Sequence, residues 1–246
     1  MSETPSPTRF LSVSRRRKFI RKTTNGTIML SNILKRISGK IALSFSYQAE
    51  DIVALDLTLK ANASDIEIFT LDTFKHFKEC LEYHKTIESF YRVEIKKYEP
   101  NESRVSELES RLGEFGIRES LENRRECCRV RKVEPLERAL RGKAAWITGL
   151  RAAQSPTRSA LQTIEFDERR DLLKINPLAL WSETDVFEYI KRNKLPINPL
   201  YNRGFKSVGC APCTRAVKDG EGARAGRWWW ENPEHKECGL HIRETA

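Results

Sequence analysis

The sequence contains no run of about 18 apolar residues, the shortest that is read as a membrane span. Basic residues cluster near the N-terminus, between Arg15 and Lys22, but no apolar stretch or small-residue cleavage site follows them. This composition argues against a secretory signal. We therefore expect a cytoplasmic protein that does not bind a membrane.

Acidic residues are the minority among the charged ones, since 34 Asp and Glu stand against 44 Lys and Arg, for a net charge of +10. Such an excess suits nucleic-acid phosphates, because Lys and Arg release their counterions. It suits a small, doubly anionic metabolite equally well. The charge alone does not separate these partners, and we interpret the N-terminal cluster as a solvated arm rather than a DNA-binding one.

No Gly-Lys-Ser/Thr triplet follows the loop Leu43–Asp51, which links the first predicted strand to a helix, so this loop is not a Walker A loop. Backbone N–H groups at the helix N-terminus can still hold an anion. An ordinary helix cap explains the loop equally well.

Cysteine is not scarce, because the chain has six. Without an export signal, such residues are more often metal ligands or catalytic thiols than disulfides. Cys127 and Cys128 are adjacent, while Ala and Pro separate Cys210 from Cys213. Cys80 stands alone, and we interpret it as a small buried residue.

Four thiolates can hold either zinc or a 4Fe-4S cluster. Zinc ligands are usually spaced two to four residues apart in both halves of a site, and the adjacent pair departs from that pattern. A cluster with several irons can take neighbouring side chains on different metal atoms, so the pattern favours a cluster. One alternative is a redox-active C-x-x-C of the thioredoxin type, but it leaves Cys127-Cys128 unexplained. The other is a chance C-x-x-C together with two cysteines that are simply buried on a helix.

The C-terminal segment carries a lone thiol, Cys238, after three consecutive tryptophans. Nearby cations lower the pKa of a thiol and favour its nucleophilic thiolate. Such cations are Arg224, Arg227, His235, Lys236 and His241. On a mobile segment this thiol could attack a substrate and then reach a redox partner. An exposed spare cysteine is the alternative, and the tryptophans either stack on an adenine or pack the tail onto the core.

Strands and helices alternate along the chain. Strands are predicted at Ile41–Ser46, Asp65–Leu71, Val93–Tyr98 and Ala144–Leu150, and helices from Glu50, at Phe77–Tyr91, from Ser103 to about Leu140, and from a Ser182/Asp185 capping box. The alternation predicts an α/β fold, a mainly parallel sheet with helices on both faces. We divide the chain into a loose arm (1–26), an α/β nucleotide-binding core (27–204) and an irregular catalytic tail (205–246).

In such sheets ligands bind at the carboxyl ends of strands. We therefore expect Ser44–Ser46, Asp72-Thr73 and Gly149–Arg151 to surround one crevice. His76 and His84 are interpreted as surface residues.

Taken together, the motifs resemble those of the sulfonucleotide reductases in their adenylyl-sulfate reductase branch, relatives of the PP-loop ATP pyrophosphatases (adenine-nucleotide α-hydrolases). The matching stretches lie between about Ile41 and Ile242. They are Cys127-Cys-Arg-Val-Arg-Lys-Val-Glu-Pro-Leu136, Trp146-Ile-Thr-Gly-Leu-Arg151, Asn176-Pro-Leu178, Pro199-Leu200, Gly209-Cys-Ala-Pro-Cys-Thr-Arg-Ala-Val217, Arg224-Ala-Gly-Arg-Trp-Trp-Trp230 and Glu234-His-Lys-Glu-Cys-Gly-Leu-His241.

The resemblance implies that Cys127, Cys128, Cys210 and Cys213 bind a 4Fe-4S cluster and that Cys238 is the catalytic nucleophile. It implies reduction of adenylyl sulfate to sulfite and AMP through a Cys S-sulfonate, with thioredoxin or a similar dithiol protein as reductant, in sulfate assimilation and cysteine biosynthesis. The implied substrate-binding residues are Ser44, Phe45, Ser46, Asp51, Lys75, Lys132, Gly149, Arg151, Arg224, Arg227 and His241.

One departure lies after the second strand, where the family usually has Leu-Asp-Thr-Gly-Arg and this chain has Phe74-Lys75. Phe blocks close backbone approach, and Lys offers a point charge in place of a fork.

Reductases for the 3′-phosphorylated nucleotide are a rival, although they generally lack both cysteine pairs. A basic, zinc-stabilised nucleic-acid-binding protein is the rival from another class, and the sequence also allows a homo-oligomer.

Overall fold

A computed structural model of the chain describes residues 26–61, 66–113, 115–155, 158–232, 235–237 and 239–240. Its strands are short. They are β1 (Ile41–Ser44), β2 (Ile66–Leu71), β3 (Lys96–Tyr98), β4 (Ala145–Ile147), β5 (Ile164–Asp167) and β6 (Leu172–Ile175).

Helices and single helical turns fill most of the remaining described chain. The helices are α1 (Gly26–Leu34), α2 (Ala49–Lys60), α3 (Lys78–Tyr91), α4 (Glu102–Leu112), α5 (Leu121–Cys128), α6 (Glu134–Leu140) and α7 (Glu183–Asn193). A π-helical turn spans Arg129–Val133, and 3₁₀ turns lie at Gly116–Arg118, Ala152–Gln154, Pro199–Arg203 and Ala211–Cys213.

The strands form one six-stranded sheet in the order β3-β2-β1-β4-β6-β5. β1 pairs in parallel with β4, β4 with β6, and β2 with β3, while β5 runs antiparallel to β6. The predicted α/β class with a mainly parallel sheet is thus confirmed.

The chain falls into two compact units. The first combines Met1–Phe45, Ala49–Ile68 and Leu140–Leu195, and the second combines Ser46–Gln48, Phe69–Ala139 and Pro196–Ala246. Each unit therefore draws on three separate stretches of sequence. The predicted division at residues 26/27 and 204/205 stays a prediction.

Helix α2 is the centre of the first unit, since its first ten residues are all buried. Its Asp56 carboxylate accepts a hydrogen bond from the Tyr189 hydroxyl at 2.6 Å and pairs with Lys60 at 2.7 Å. A buried charge held in this way is compensated. α1 and α7 both pack against α2.

Helix α7 begins at the predicted capping box. The Ser182 hydroxyl accepts the Asp185 N–H at 3.1 Å, and the Asp185 carboxylate accepts the Ser182 N–H at 2.7 Å. These reciprocal bonds satisfy backbone donors that the first helical turn leaves unpaired.

Several predicted bounds were wrong. β1 ends at Ser44, close to Tyr47 with its left-handed backbone (φ 68°), and β4 covers only three residues. β3 begins at Lys96 rather than Val93. The helical stretch from Ser103 is divided, because the left-handed Gly113 (φ 63°) ends α4. Asp65 lies outside the described residues.

None of the helices in the described part of the chain combines the length and apolar composition needed to cross a bilayer.

Candidate active site

The two cysteine pairs meet in the second unit. Cys127 and Cys128 form the end of α5, whose start is capped by Ser120 accepting the Asn123 N–H at 3.0 Å. Cys210 and Cys213 flank the 3₁₀ turn Ala211–Cys213. All four line one cavity of about 430 Å³. The structure therefore brings the cysteine pairs together, while their role as ligands stays a prediction.

The candidate donors at this cavity are four cysteine thiols, with one buried indole N–H beside them. Within the described residues, no three His, Cys, Asp or Glu side chains lie close enough to hold a single metal ion. A zinc ion would require its sulfurs to converge to about 2.3 Å from one point. Trp228 Nε1 is buried beside the cysteines and has no hydrogen-bond partner in the described structure. Four thiols around a cavity fit an iron–sulfur cluster, because they can bind its irons. The sulfides of such a cluster could also accept the hydrogen bond that the Trp228 N–H lacks.

The thiols differ in acidity. Burial opposes ionisation of Cys210, but the Lys132 ammonium, the Thr73 hydroxyl 3.3 Å away and Arg227 together hold its pKa below the ordinary value. Burial raises the pKa of Cys127, and it raises that of Cys213 to about 11. Of Cys127, Cys210 and Cys213, Cys210 is thus the most readily deprotonated.

The π-helical turn after Cys128 carries Arg131 and Lys132 to the cavity. Arg131 is buried and donates to the Thr73 carbonyl at 2.8 Å and to Glu109 at 2.6 Å. Glu109 also pairs with Lys75 at 2.7 Å. The corner that departs from the family pattern is therefore fixed through Glu109, and Lys75 lies at the cavity wall.

Phe74, next to Lys75, has a left-handed backbone (φ 58°) and is exposed. Glycine adopts this conformation without strain, whereas a phenylalanine does not. Phe74 therefore holds a backbone conformation that glycine would adopt without strain, and its aromatic ring is exposed to solvent.

Trp228 lies between two arginines. The Arg124 guanidinium carbon is 4.7 Å from the ring centroid and that of Arg227 is 4.6 Å away. Arg227 donates to the Val208 carbonyl at 2.9 Å and packs directly on Gly209. Of the two roles weighed for the tryptophans, Trp228 shows packing onto the core, because it is buried against Cys128, Cys210 and Cys213.

Arg124 was not anticipated from the sequence. Its guanidinium donates to both Glu231 oxygens at 2.8 Å, to the His235 carbonyl at 2.7 Å and to the Glu237 carbonyl at 2.6 Å. A single arginine in a charged helix gives no motif that would have revealed it.

Arg224 holds the same segment, since it donates to the Lys236 carbonyl at 2.9 Å and pairs with Glu237 at 3.6 Å. Cys238 follows directly in the sequence, but Cys238 and His241 both lie outside the described residues. Their predicted roles stay predictions.

The remaining predicted binding residues lie mostly in the first unit. Arg151 is buried and donates twice to Glu50 Oε1, at 2.9 and 2.7 Å. A Cβ on Gly149 would come within 2.6 Å of an Asp51 carboxylate oxygen, so glycine allows the two segments to meet. The Ser44 hydroxyl accepts from the Trp146 indole at 2.9 Å.

Phe45, also of the first unit, is buried, and Ser46 is an exposed residue of the second unit. Substrate contacts by Ser44, Phe45, Ser46, Asp51, Gly149 and Arg151, and the crevice expected around these segments, stay predictions.

The histidine interpretation was wrong. His84 is buried, with Nδ1 3.2 Å from the Tyr47 hydroxyl, and the His76 ring packs edge-on against Tyr47 at 5.1 Å. His84 lies within α3 and His76 lies two residues before it, with His76 Nε2 3.1 Å from the Leu71 carbonyl oxygen. Cys80 is buried as expected, and burial raises its pKa to about 11.

Comparison with known proteins finds a matching family and several similar proteins. The phosphoadenosine phosphosulfate reductase domain family matches residues 40–216. The adenosine 5′-phosphosulfate reductase of Allochromatium vinosum is 48% identical over 218 residues, covering 89% of this chain and 84% of that protein. The one from Neisseria meningitidis serogroup A is 48% identical over 220 residues, covering 87% and 89%.

Solved structures share the fold. Phosphoadenylyl-sulfate (PAPS) reductase from Candida auris superposes with a TM-score of 0.68 at 24% identity, covering 84% of this chain and 98% of that one. NH3-dependent NAD synthetase from Campylobacter jejuni gives a TM-score of 0.50 at 14% identity, covering 78% of each. The family match includes both cysteine pairs, and the relatives span most of the sequence; the chain therefore belongs to the adenosine 5′-phosphosulfate reductases within the phosphoadenosine phosphosulfate reductase family.

Proposed function

We propose that the protein reduces adenylyl sulfate to sulfite and AMP, with Cys238 as nucleophile and thioredoxin or a similar dithiol protein as reductant. The observation that carries the proposal is the cysteine-lined cavity, with Lys75 and Lys132 at its wall. Arg124 and Arg224 hold the segment that ends one residue before Cys238. The family supports the substrate, since the relatives named above are adenosine 5′-phosphosulfate reductases.

In the first half-reaction the Cys238 thiolate attacks the sulfur of adenylyl sulfate. The bond from that sulfur to the bridging phosphate oxygen breaks, AMP leaves with the electron pair, and Cys238 carries a sulfonate. In the second, a thiolate of the dithiol protein attacks the Cys238 sulfur and releases sulfite. The second thiol of the reductant then frees Cys238, so the dithiol supplies both electrons and becomes a disulfide.

Cationic side chains hold the phosphosulfate and stabilise the departing AMP phosphate. In the second unit these are Lys75, Lys132, Arg224 and Arg227. Lys75 would exchange its Glu109 partner for the substrate anion, and a buried guanidinium such as that of Arg227 is pre-organised for one. His241 and the first-unit residues named above complete the proposed set.

Cys127, Cys128, Cys210 and Cys213 would hold a 4Fe-4S cluster, which would organise the cavity and contribute charge near the substrate. The sulfur chemistry above needs no electrons from it. The Lys132 charge and the Thr73 hydroxyl, 3.3 Å from the Cys210 sulfur, hold the pKa of this thiol down against the effect of burial and so would tune it as a ligand. We place the reaction in the cytoplasm, in sulfate assimilation for cysteine biosynthesis.

Iron content tests the cluster. Anaerobically purified protein is expected to be brown and to contain about four irons per chain. Replacing Cys210 by Ser should lower iron and activity together, because it removes one ligand, whereas Cys80→Ser should leave the iron unchanged. One zinc and no iron per chain would contradict the cluster while leaving Cys238 untouched.

The adduct tests the mechanism. Protein given adenylyl sulfate without reductant should release about one AMP per site and carry a sulfonate on the Cys238 peptide. Reduced thioredoxin should then discharge sulfite. Cys238→Ser should keep its iron and bind AMP but form no adduct, as peptide mass spectrometry would show. Normal turnover by this variant would rule out the mechanism.

The 3′-phosphorylated nucleotide is the alternative substrate. The name of the matching domain family and the fold of the Candida auris protein motivate it. A comparison of kcat/KM for the two nucleotides decides, and we expect adenylyl sulfate to give the larger value.

A further inference from the structure

Arg124 connects two parts of the second unit that are distant in sequence. It lies in α5, three residues before Cys127, and its side chain is only 1% exposed. The carboxylate of Glu231, 8% exposed, takes two of its N–H bonds, and the carbonyls of His235 and Glu237 take two more. Four hydrogen bonds from one guanidinium, which has five N–H donors, thus go to the stretch that includes Glu231, His235 and Glu237.

The guanidinium also makes a cation–π contact. Its central carbon lies 4.7 Å from the centroid of the Trp228 ring, and this contact adds to the hydrogen bonds that hold the side chain. Lysine could not reproduce this arrangement, because a single ammonium has three donors and no plane. The contact is therefore specific to arginine.

The carbonyls that Arg124 holds lie directly before Cys238. His235 is three residues before it, and Glu237 is its neighbour in the sequence. Two bonds to backbone rather than side chains fix the course of the chain itself. Arg124 belongs to α5, which ends with Cys127 and Cys128. The backbone of His235 and Glu237 therefore takes its position from the helix that carries two of the four cysteines.

We propose that Arg124 is a positioning residue, which holds the Glu231 side chain and the carbonyls of His235 and Glu237 at α5 and thereby sets where the Cys238 thiol can reach. The inference rests on the proposed function for the role of Cys238. Its consequence for the reaction is a loss in the attack step, with nucleotide binding and iron retained.

Two variants and a control test this role. Arg124→Lys keeps the charge but loses the fork. Arg124→Met combined with Glu231→Met removes both buried charges together, so that neither is left unpaired. Arg125→Lys is the matched control, since Arg125 is the adjacent, exposed arginine of α5.

Hydrogen exchange of the segment 231–240 in substrate-free, iron-loaded protein is the first readout, and single-turnover formation of the Cys238 sulfonate is the second. Both Arg124 variants should speed exchange in this segment and should slow adduct formation by about 100-fold, the order expected when a reacting group is misplaced by an ångström. Iron content and the Kd for AMP should match those of Arg125→Lys.

The proposal would be overturned if the double variant exchanged its amide hydrogens in residues 231–240 at the wild-type rate. It would also be overturned if the Arg124 variants formed the Cys238 sulfonate as fast as Arg125→Lys. Loss of iron in step with the slower adduct would also overturn it, because Arg124 would then serve the helix alone. If the wild-type protein itself forms no adduct, the proposed function fails, yet hydrogen exchange still shows whether Arg124 holds the segment.

Discussion

Gly209 stands where the backbone before Cys210 passes beneath the Arg227 guanidinium. A Cβ at this position would overlap the guanidinium, so any side chain displaces Arg227 from its bond to the Val208 carbonyl. The absence of a side chain thus keeps one of the proposed anion-binding cations in place. Gly222 nearby is different, because a Cβ there would have no atom within 4 Å.

Gly209→Ala should lower the free energy of unfolding by about 1–3 kcal/mol, as overpacking does in a closed site. It should also raise the KM for adenylyl sulfate, since Arg227 moves. Denaturant unfolding and steady-state kinetics measure the two effects. Gly222→Ala is the control and should change stability by less than about 0.5 kcal/mol. Equal behaviour of the two variants would contradict the steric role of Gly209.

Residue types with a narrow chemistry were easy to single out from the sequence. Paired cysteines have few alternative uses, so Cys127 and Cys210 attracted attention at once. Arg124 and Arg131 did not, because an arginine in a charged helix is usually solvated, and only the fold shows that both are buried. The same holds for His84, whose partner Tyr47 is 37 residues away.

Among the elements, the stretch between Glu102 and Leu140 shows how a long charged pattern is divided. Gly113 ends one helix, Ser120 caps the next, and the π-helical turn Arg129–Val133 follows directly after the cysteines. Such turns often occur at functional sites. Helical periodicity reports none of these breaks, because each keeps the chain locally helical.

The hairpin of β5 and β6 was missed for another reason. β5 is an edge strand, with no fully buried residue, and charged residues run through the turn at Asp167–Asp171. The alternation of Ile164 and Phe166 with charged residues covers only four positions, and no two-residue turn signal follows it. Strands β1, β2 and β4 were predicted because each is rich in apolar residues, for example Ile41 and Leu43 in β1, which alternate with small residues.

The capping box of α7 gives the prediction at this scale. Ser182→Ala should lower the free energy of unfolding by about 1 kcal/mol, because the Asp185 N–H loses its acceptor at the helix start. Thermal or denaturant unfolding measures it. Thr184→Ala, two residues further along the chain and also exposed, should lower the free energy of unfolding by a smaller amount. If the two substitutions cost the same, the cap does not contribute as described.

For the whole molecule, the buried histidines couple stability to pH. Burial lowers the pKa of His84 and of His76 below the ordinary value of 6.5. Below about pH 6.5 the unfolded chain therefore binds protons that the native state does not, and the free energy of unfolding falls as pH falls. Each histidine contributes at most about 1.4 kcal/mol per pH unit.

His84→Gln should flatten this decline between pH 6.5 and 5, since the amide keeps a hydrogen-bonding group but does not titrate. Urea unfolding at half-unit pH steps gives the slope. Wild type and variant should run parallel above pH 7.5, where both states are neutral at this position. A variant with the wild-type slope below pH 6.5 would show that other groups carry the acid sensitivity.

The second unit also constrains when the protein can mature during synthesis. Its cavity needs Cys128 and Cys210, which lie about 80 residues apart, together with Trp228 and the tail segment that Arg124 holds. While the ribosome still holds the last stretch from Pro196 onward, the first cysteine pair has emerged without the second. Closure of so long a loop comes late. The four cysteines can therefore come together only after Cys210 has left the ribosome, and a nascent chain paused before Cys210 presents Cys127 and Cys128 without the second pair.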